Sequence, residues 1–98
     1  MEFIEPTDKG FTVYSKSGCQ NCVKVKKLIE TSKLFYSEVD CDDYLIECRD
    51  EFLRFIELKA ETNYKTFPMV FYDGKFVGGY AHTIDFINKL LSFDEIVF

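Results

Sequence analysis

Tyr14-Ser15-Lys16-Ser17-Gly18-Cys19-Gln20-Asn21-Cys22-Val23 decides how the rest of this chain is read. An apolar run with Phe11 and Val13 enters the stretch, and an amphipathic run with Val25, Leu28 and Ile29 leaves it. Two cysteines separated by two residues therefore sit where a strand turns into a helix, which is the pattern of a redox dithiol. The first N–H groups of a helix have no partner inside it, and the aligned peptide dipoles place partial positive charge there. A thiolate at that point is stabilised and becomes the attacking species near neutral pH. Cys19 is the residue so placed. Cys22 lies one turn inside, within reach of a disulfide, and Lys16 adds a full positive charge three residues upstream.

Working outward, Phe11 to Ser15 alternates and predicts a strand. Residues from about Gln20 to Ser32 place Cys22, Val25, Leu28 and Ile29 at helical spacing, with Lys24, Lys26 and Lys27 turned to water. Phe35 to Cys41 predicts a second strand. Asp42 and Asp43 are candidate caps for one long helix from about Tyr44 to Glu61, carrying Leu45, Cys48, Phe52, Phe55 and Ile56 on one face. Met69 to Tyr72 and Lys75 to Val77 flank Asp73-Gly74, a two-residue hairpin signal of type I′. A last helix is predicted from His82 or Thr83 to Leu91, with Thr83 as its cap. Residues 1 to 9 read as a loose lead-in, and Ser92 to Phe98 as a tail whose Ile96, Val97 and Phe98 can pack. The order β-α-β-α-β-β-α implies a parallel strand pair with a right-handed crossover, extended by an antiparallel hairpin.

Composition narrows the function. The chain has 98 residues, so one domain is expected over 1–98, and eleven Phe and six Tyr supply a core. A net charge of −5 argues against nucleic acid and against an anionic membrane, both of which favour a basic face. No apolar stretch approaches the roughly 20 residues that cross a bilayer. The acidic start, Met1-Glu2-Phe3-Ile4-Glu5-Pro6, lacks the apolar core of a secretory signal, so a cytoplasmic location is expected. In a reducing compartment the four cysteines read as catalytic, metal-binding or buried groups rather than a disulfide framework. A zinc site is disfavoured: Cys41 and Cys48 do not form a second close pair, and His82 stands alone. Those two cysteines read as a strand end and a core position, with a disulfide between them as the alternative.

The element order, with its Cys-x-x-Cys pair at the first helix start, resembles the thioredoxin fold: α/β, with a four-stranded mixed sheet and helices on both faces. Three further matches narrow the resemblance to the glutaredoxins, over about 11–91. Lys16 stands as in that family's Lys-x-x-Cys-x-x-Cys. Thr66-Phe67-Pro68 is similar to its Thr-Val-Pro, whose proline is cis. Gly78-Gly79 follows the hairpin as the family's Gly-Gly does. The resemblance implies a class I, dithiol, glutathione-dependent thiol–disulfide oxidoreductase acting as a monomer on protein disulfides and glutathionylated proteins, ribonucleotide reductase among them. It implies that Cys19 attacks, that Cys22 resolves the mixed disulfide, and that Lys16, helped by Lys65, holds the glycine carboxylate of glutathione. Phe67, made extended by Pro68, would pair with the cysteine of glutathione. Gly79 would admit the ligand closely, and the N–H groups of Tyr80 and Ala81 would take the γ-glutamyl carboxylate.

The departures from the family pattern are Gln20 where many members have proline, Asn21 where tyrosine is common, and His82 where an acidic residue often contacts the γ-glutamyl amine. Neutral imidazole can accept from that amine, whereas imidazolium would repel it. Two other readings follow from the same resemblance. One is an electron donor to ribonucleotide reductase served by thioredoxin reductase. The other is a carrier of a [2Fe–2S] cluster ligated by Cys19 and glutathione, for which loss of the proline after Cys19 is compatible.

Overall fold

A computed structural model describes residues 2–96. Its elements are β1 (Phe11–Ser15), α1 (Gln20–Thr31), β2 (Tyr36–Asp40), α2 (Asp42–Glu47), α3 (Arg49–Ala60), β3 (Met69–Tyr72), β4 (Lys75–Gly78) and α4 (Tyr80–Ile96). The sheet order is β2-β1-β3-β4. β1 runs parallel to β2, with Val13 opposite Glu38, and antiparallel to β3, with Tyr14 opposite Met69. β3 and β4 form the hairpin, whose Asp73 and Gly74 both take positive φ, 51° and 80°. Those angles suit the type I′ turn expected there.

Helices cover both faces, and this changes what β1 looks like. Phe11 and Val13 point into a core with Val25 and Ile29 of α1, Val70 of β3 and Ile87 of α4. Tyr14 points the other way, into a core with Tyr44, Phe52, Leu53 and Ile56 from α2 and α3 and with Met69 and Phe71 of β3. All five β1 residues are buried, although the alternation suggested a half-buried strand. A central strand of a two-sided sheet has no wet face. Its polar members are satisfied internally: the Thr12 hydroxyl accepts from the Thr7 N–H at 2.9 Å, and the Ser15 hydroxyl donates to Glu38 at 2.7 Å.

Several boundaries differ from the sequence expectation. The long helix after Asp42 is two helices. Cys48, with φ −152° and ψ 53°, leaves the helical region, so Arg49 opens a new axis. The break leaves no backbone group stranded: the Cys48 N–H donates to the Tyr44 carbonyl at 2.8 Å, and its own carbonyl accepts from Phe52 at 3.0 Å. Strand β2 is shorter than 35–41, and Phe35 is 90% exposed outside it. Helix α4 begins at Tyr80, not at Thr83. Thr83 is buried inside the first turn, with its N–H and its hydroxyl both donating to the Gly79 carbonyl, at 3.0 and 2.8 Å. Residues 92–96 continue that helix rather than forming a tail. Val97 and Phe98, expected as packing residues, lie outside the described residues.

The lead-in is also not loose. Phe3 meets Tyr44, Phe55 and Phe52 with ring centroids 4.9, 5.2 and 5.6 Å away. The Tyr14 hydroxyl donates to the Ile4 carbonyl at 2.6 Å, and the Tyr44 hydroxyl accepts from the Ile4 N–H at 3.2 Å. The segment is strapped over the α2–α3 core by aromatic packing that no local pattern announces. Among the described residues, no helix is long and apolar enough to cross a membrane.

Candidate active site

Strand β1 ends at Ser15, and Gly18, with φ +72°, turns the chain into α1. Only a residue without a Cβ takes that angle cheaply. Cys19 is then the N-cap of α1, with extended backbone (φ −103°, ψ 106°), and its sulfur accepts from the Cys22 N–H at 3.1 Å. The helix end thus offers a backbone donor to this sulfur, as the stretch predicted. The two sulfurs stand at disulfide distance, with Cα atoms 5.3 Å apart. Their surroundings differ. Cys22 is buried, whereas Cys19 is half-exposed. An incoming disulfide therefore meets Cys19 first.

The turn before Cys19 is fastened from another element. Asp42, at the start of α2, accepts from the Ser17 N–H at 2.9 Å and also from the Ser17 hydroxyl. These bonds hold the Asp42 carboxyl below the usual carboxylate range, with Lys16 nearby adding to the effect. On the other flank, Glu38 accepts from Lys26 at 2.6 Å and from Ser15, and those contacts lower its pKa. Neither Asp42 nor Glu38 was singled out as a site residue. Ser17 and Asp42 lie far apart in sequence, so nothing local could have paired them.

One hollow borders the dithiol, and a second shares Lys16 with it. The first, of about 500 Å³, is bordered by Lys16, Cys19, Cys22, Lys26, Glu38 and Asp40. The other, of about 320 Å³, is lined by Leu45, Leu53 and Phe67 together with Lys16, Arg49, Lys65 and Thr66. Lys16 borders both, with its ammonium 5.7 Å from the centre of the Phe67 ring. Lys16, Lys65 and Phe67, predicted separately, are thus brought together. Arg49, the first residue of α3 after the break at Cys48, joins them. The Phe67–Pro68 peptide bond is cis. Phe67 lies just before the first paired residue of β3, Met69, so its backbone stands beyond the ladder.

The Gly78–Gly79 pair is occupied from within the chain. A Cβ on Gly79 would come 2.6 Å from the Tyr64 hydroxyl oxygen, and one on Gly78, where φ is +132°, would come 2.7 Å from the His82 ring. The close approach that Gly79 permits is therefore made, in this chain, by Tyr64. Tyr80 and Ala81, expected just before the last helix, are instead its first two residues, and the Lys24 ammonium lies 6.0 Å from the Tyr80 ring centre. Lys24 was read as a wet helix position. His82 borders neither of these two hollows. It lies over Gly78 and lines a separate hollow between the hairpin and α4, with Phe76, Asp85, Phe86 and Lys89.

Cys41 is fully buried in the α2–α3 core, and burial pushes its thiol up to about 12. Among the described residues, no group of three or more His, Cys, Asp and Glu side chains is placed to hold a metal ion.

A four-stranded mixed sheet, helices on both faces, a dithiol capping the first helix and a cis-proline before β3 together define the thioredoxin fold with its dithiol site. The family model described as Glutaredoxin matches residues 11–77, and the chain belongs to the glutaredoxin family. Glutaredoxin 1 of Rickettsia conorii is 30% identical over 67 residues, covering 68% of this chain and 61% of that protein. Glutaredoxin-C6 of Oryza sativa subsp. japonica is 36% identical over 77 residues, covering 79% and 65%. The chain thus spans less than two thirds of the length of these curated relatives. Among solved structures, glutaredoxin 1 from Francisella tularensis, complexed with cacodylate, superimposes with a TM-score of 0.73 at 26% identity, over 84% of this chain and 95% of that one. A buckwheat glutaredoxin–glutathione complex gives 0.67 at 27% identity, over 82% and 69%.

Proposed function

We propose that this chain is a dithiol, glutathione-dependent thiol–disulfide oxidoreductase that reduces glutathionylated proteins and protein disulfides. The observation that carries the reading is the half-exposed Cys19 sulfur accepting the Cys22 N–H at the start of α1. The likeness to a glutaredoxin solved with glutathione supports the choice of reductant.

On a glutathionylated substrate, the Cys19 thiolate attacks the glutathionyl sulfur. A Cys19–glutathione disulfide forms, and the substrate thiolate leaves with the electron pair and takes up a proton. A second glutathione thiolate attacks that disulfide, giving oxidised glutathione and freeing Cys19. On a protein disulfide, Cys19 forms the mixed disulfide and releases one substrate thiolate. Cys22 then attacks the Cys19 sulfur and expels the other, and two glutathione molecules restore the dithiol. The rate follows the thiolate fraction and nucleophilicity of the attacking sulfur and the quality of the leaving thiol. In this reading Lys16 and Lys65 take the glycine carboxylate, the Phe67 backbone pairs with the ligand strand, and the Tyr80 and Ala81 N–H groups take the γ-glutamyl end.

The test is glutathione-coupled reduction of a small mixed disulfide, followed through NADPH and glutathione reductase, with thioredoxin reductase run in parallel. Activity with glutathione that survives Cys22→Ser and disappears in Cys19→Ser is expected. Turnover with thioredoxin reductase alone would overturn the choice of reductant, and retained activity in Cys19→Ser would overturn the dithiol mechanism.

A further inference from the structure

The parallel register of β1 and β2 runs on past the two strands. Ser15 lies opposite Asp40 in the ladder, and the Cys41 N–H donates to the Ser15 carbonyl at 2.8 Å. Two residues further along each segment the partners are Ser17 and Asp42, and there a side chain takes over from the backbone. The Asp42 carboxylate accepts from the Ser17 N–H at 2.9 Å and from the Ser17 hydroxyl. Asp42 is held in turn, because its N–H donates to the Asp40 carboxylate at 3.0 Å. Ser17 leads through Gly18, at φ +72°, directly into Cys19. The Cys19 sulfur must stay on the Cys22 N–H for its thiolate to be stabilised. Glycine leaves this turn conformationally free, and Ser17 is where another element restrains it.

Asp42 also carries a negative charge, which by itself opposes a thiolate. It is not among the residues that line the hollow at Cys19. The charges there are Lys16 and Lys26 against Glu38 and Asp40, with Lys26 engaged by Glu38 at 2.6 Å. Lys16 lies near Asp42 and offsets its charge. The field of such exposed groups is screened by salt, whereas the two Ser17 hydrogen bonds act through the chain itself.

We propose that Asp42 is a positioning residue for the thiol–disulfide chemistry. Through Ser17 it fixes the turn that holds the Cys19 sulfur against the start of α1, and this effect outweighs its opposing charge. The proposal rests on the reading above in which Cys19 is the attacking thiol.

The test reads Cys19 without glutathione. Reduced Cys22→Ser protein is alkylated with iodoacetamide across a range of pH. Peptide mass mapping gives the rate at Cys19, and hence the pH midpoint at which its thiolate forms. In Asp42→Ala that midpoint should move to higher pH. Where this leaves about tenfold less thiolate, attack on a glutathionylated peptide should slow about threefold, because the more basic sulfur is the better nucleophile. Asp42→Asn removes the charge but keeps a carbonyl acceptor for Ser17, so it should bring the midpoint back to the parent value or below. Asp43→Ala removes an exposed charge from the same helix end and should not raise the midpoint. Ser17→Ala leaves α2 untouched and loses only the hydroxyl bond, so it should raise the midpoint by less than Asp42→Ala does. A midpoint that stays or falls in Asp42→Ala, or rises equally in Asp42→Asn, would overturn the proposal. Should Asp42→Ala fail to fold by circular dichroism, Ser17→Ala decides, and an unchanged midpoint there overturns it. Cys19 alkylated no faster than Cys48 in the parent protein would count instead against Cys19 as the attacking thiol.

Discussion

The Tyr64 hydroxyl occupies the space that a side chain on Gly79 would need. A Cβ there would stand 2.6 Å from that oxygen, and the Tyr64 ring is itself braced against Phe76 with centroids 4.9 Å apart. Tyr64 thereby packs the loop before Phe67 and Pro68 against the start of α4.

Gly79→Ala must displace Tyr64 and is expected to cost about 1–3 kcal/mol, the usual range for overpacking. Removing the offending oxygen should relieve it, because the next Tyr64 atom lies 3.9 Å from the same point. Urea denaturation of Gly79→Ala alone and in a Tyr64→Phe background measures this. A cost that is the same in both backgrounds would mean that the contact is not what requires glycine.

Alkylation should separate the cysteines by burial. Cys19 is half-exposed at a helix start, whereas Cys41 is fully buried with its thiol pushed up to about 12. In reduced protein at pH 8, iodoacetamide should label Cys19 first, because the thiolate is the reacting form. Cys41 should stay unlabelled until the protein is unfolded. Peptide mass mapping against time reads the order, and early labelling of Cys41 would contradict the packing described.

Two carboxylates beside the dithiol set an acid limb. Asp42 is lowered by its Ser17 hydrogen bonds, and Glu38 by Lys26 and Ser15. A carboxyl whose folded pKa is depressed stabilises the fold fully above its unfolded value, near 3.9 for Asp and 4.3 for Glu. That contribution is lost as the pH falls through the lower folded value. Stability should therefore be insensitive to these groups from pH 7 down to about 5 and fall below about 4. The limb should be shallower in Ser17→Ala and Lys26→Ala, as measured by circular dichroism across an acid titration.

The strap formed by the first residues should contribute to stability. Phe3 is half-buried and makes three aromatic contacts. Full truncation of a buried Phe costs about 3–5 kcal/mol, so Phe3→Ala should cost about 2. Chemical denaturation tests this, and an unchanged midpoint would mean that the segment lies on the surface without holding it.

Much of this fold was legible because its signals are local. The strand at Phe11–Ser15, the helix from Gln20 and the Asp73-Gly74 turn each follow from the spacing of neighbouring residues. The long-helix expectation failed at Cys48 because the apolar spacing runs on through the break. Nothing in the composition marks a change of axis there, as a glycine or proline would have done.

By itself the sequence determined the order of the four strands, the helices after β1 and β4, the dithiol, and its place at a helix start. Helical periodicity and a Cys-x-x-Cys spacing are properties of adjacent residues. The tertiary structure alone decided which groups surround that dithiol. Ser17 meets Asp42, Lys16 lies over Phe67, Arg49 joins a hollow that Lys16 borders, Tyr64 fills the space at Gly79, and His82 turns to another hollow. These neighbours are set by how helices pack on a sheet and by one kink at Cys48. Such contacts between distant residues leave no period in the chain from which they could be read.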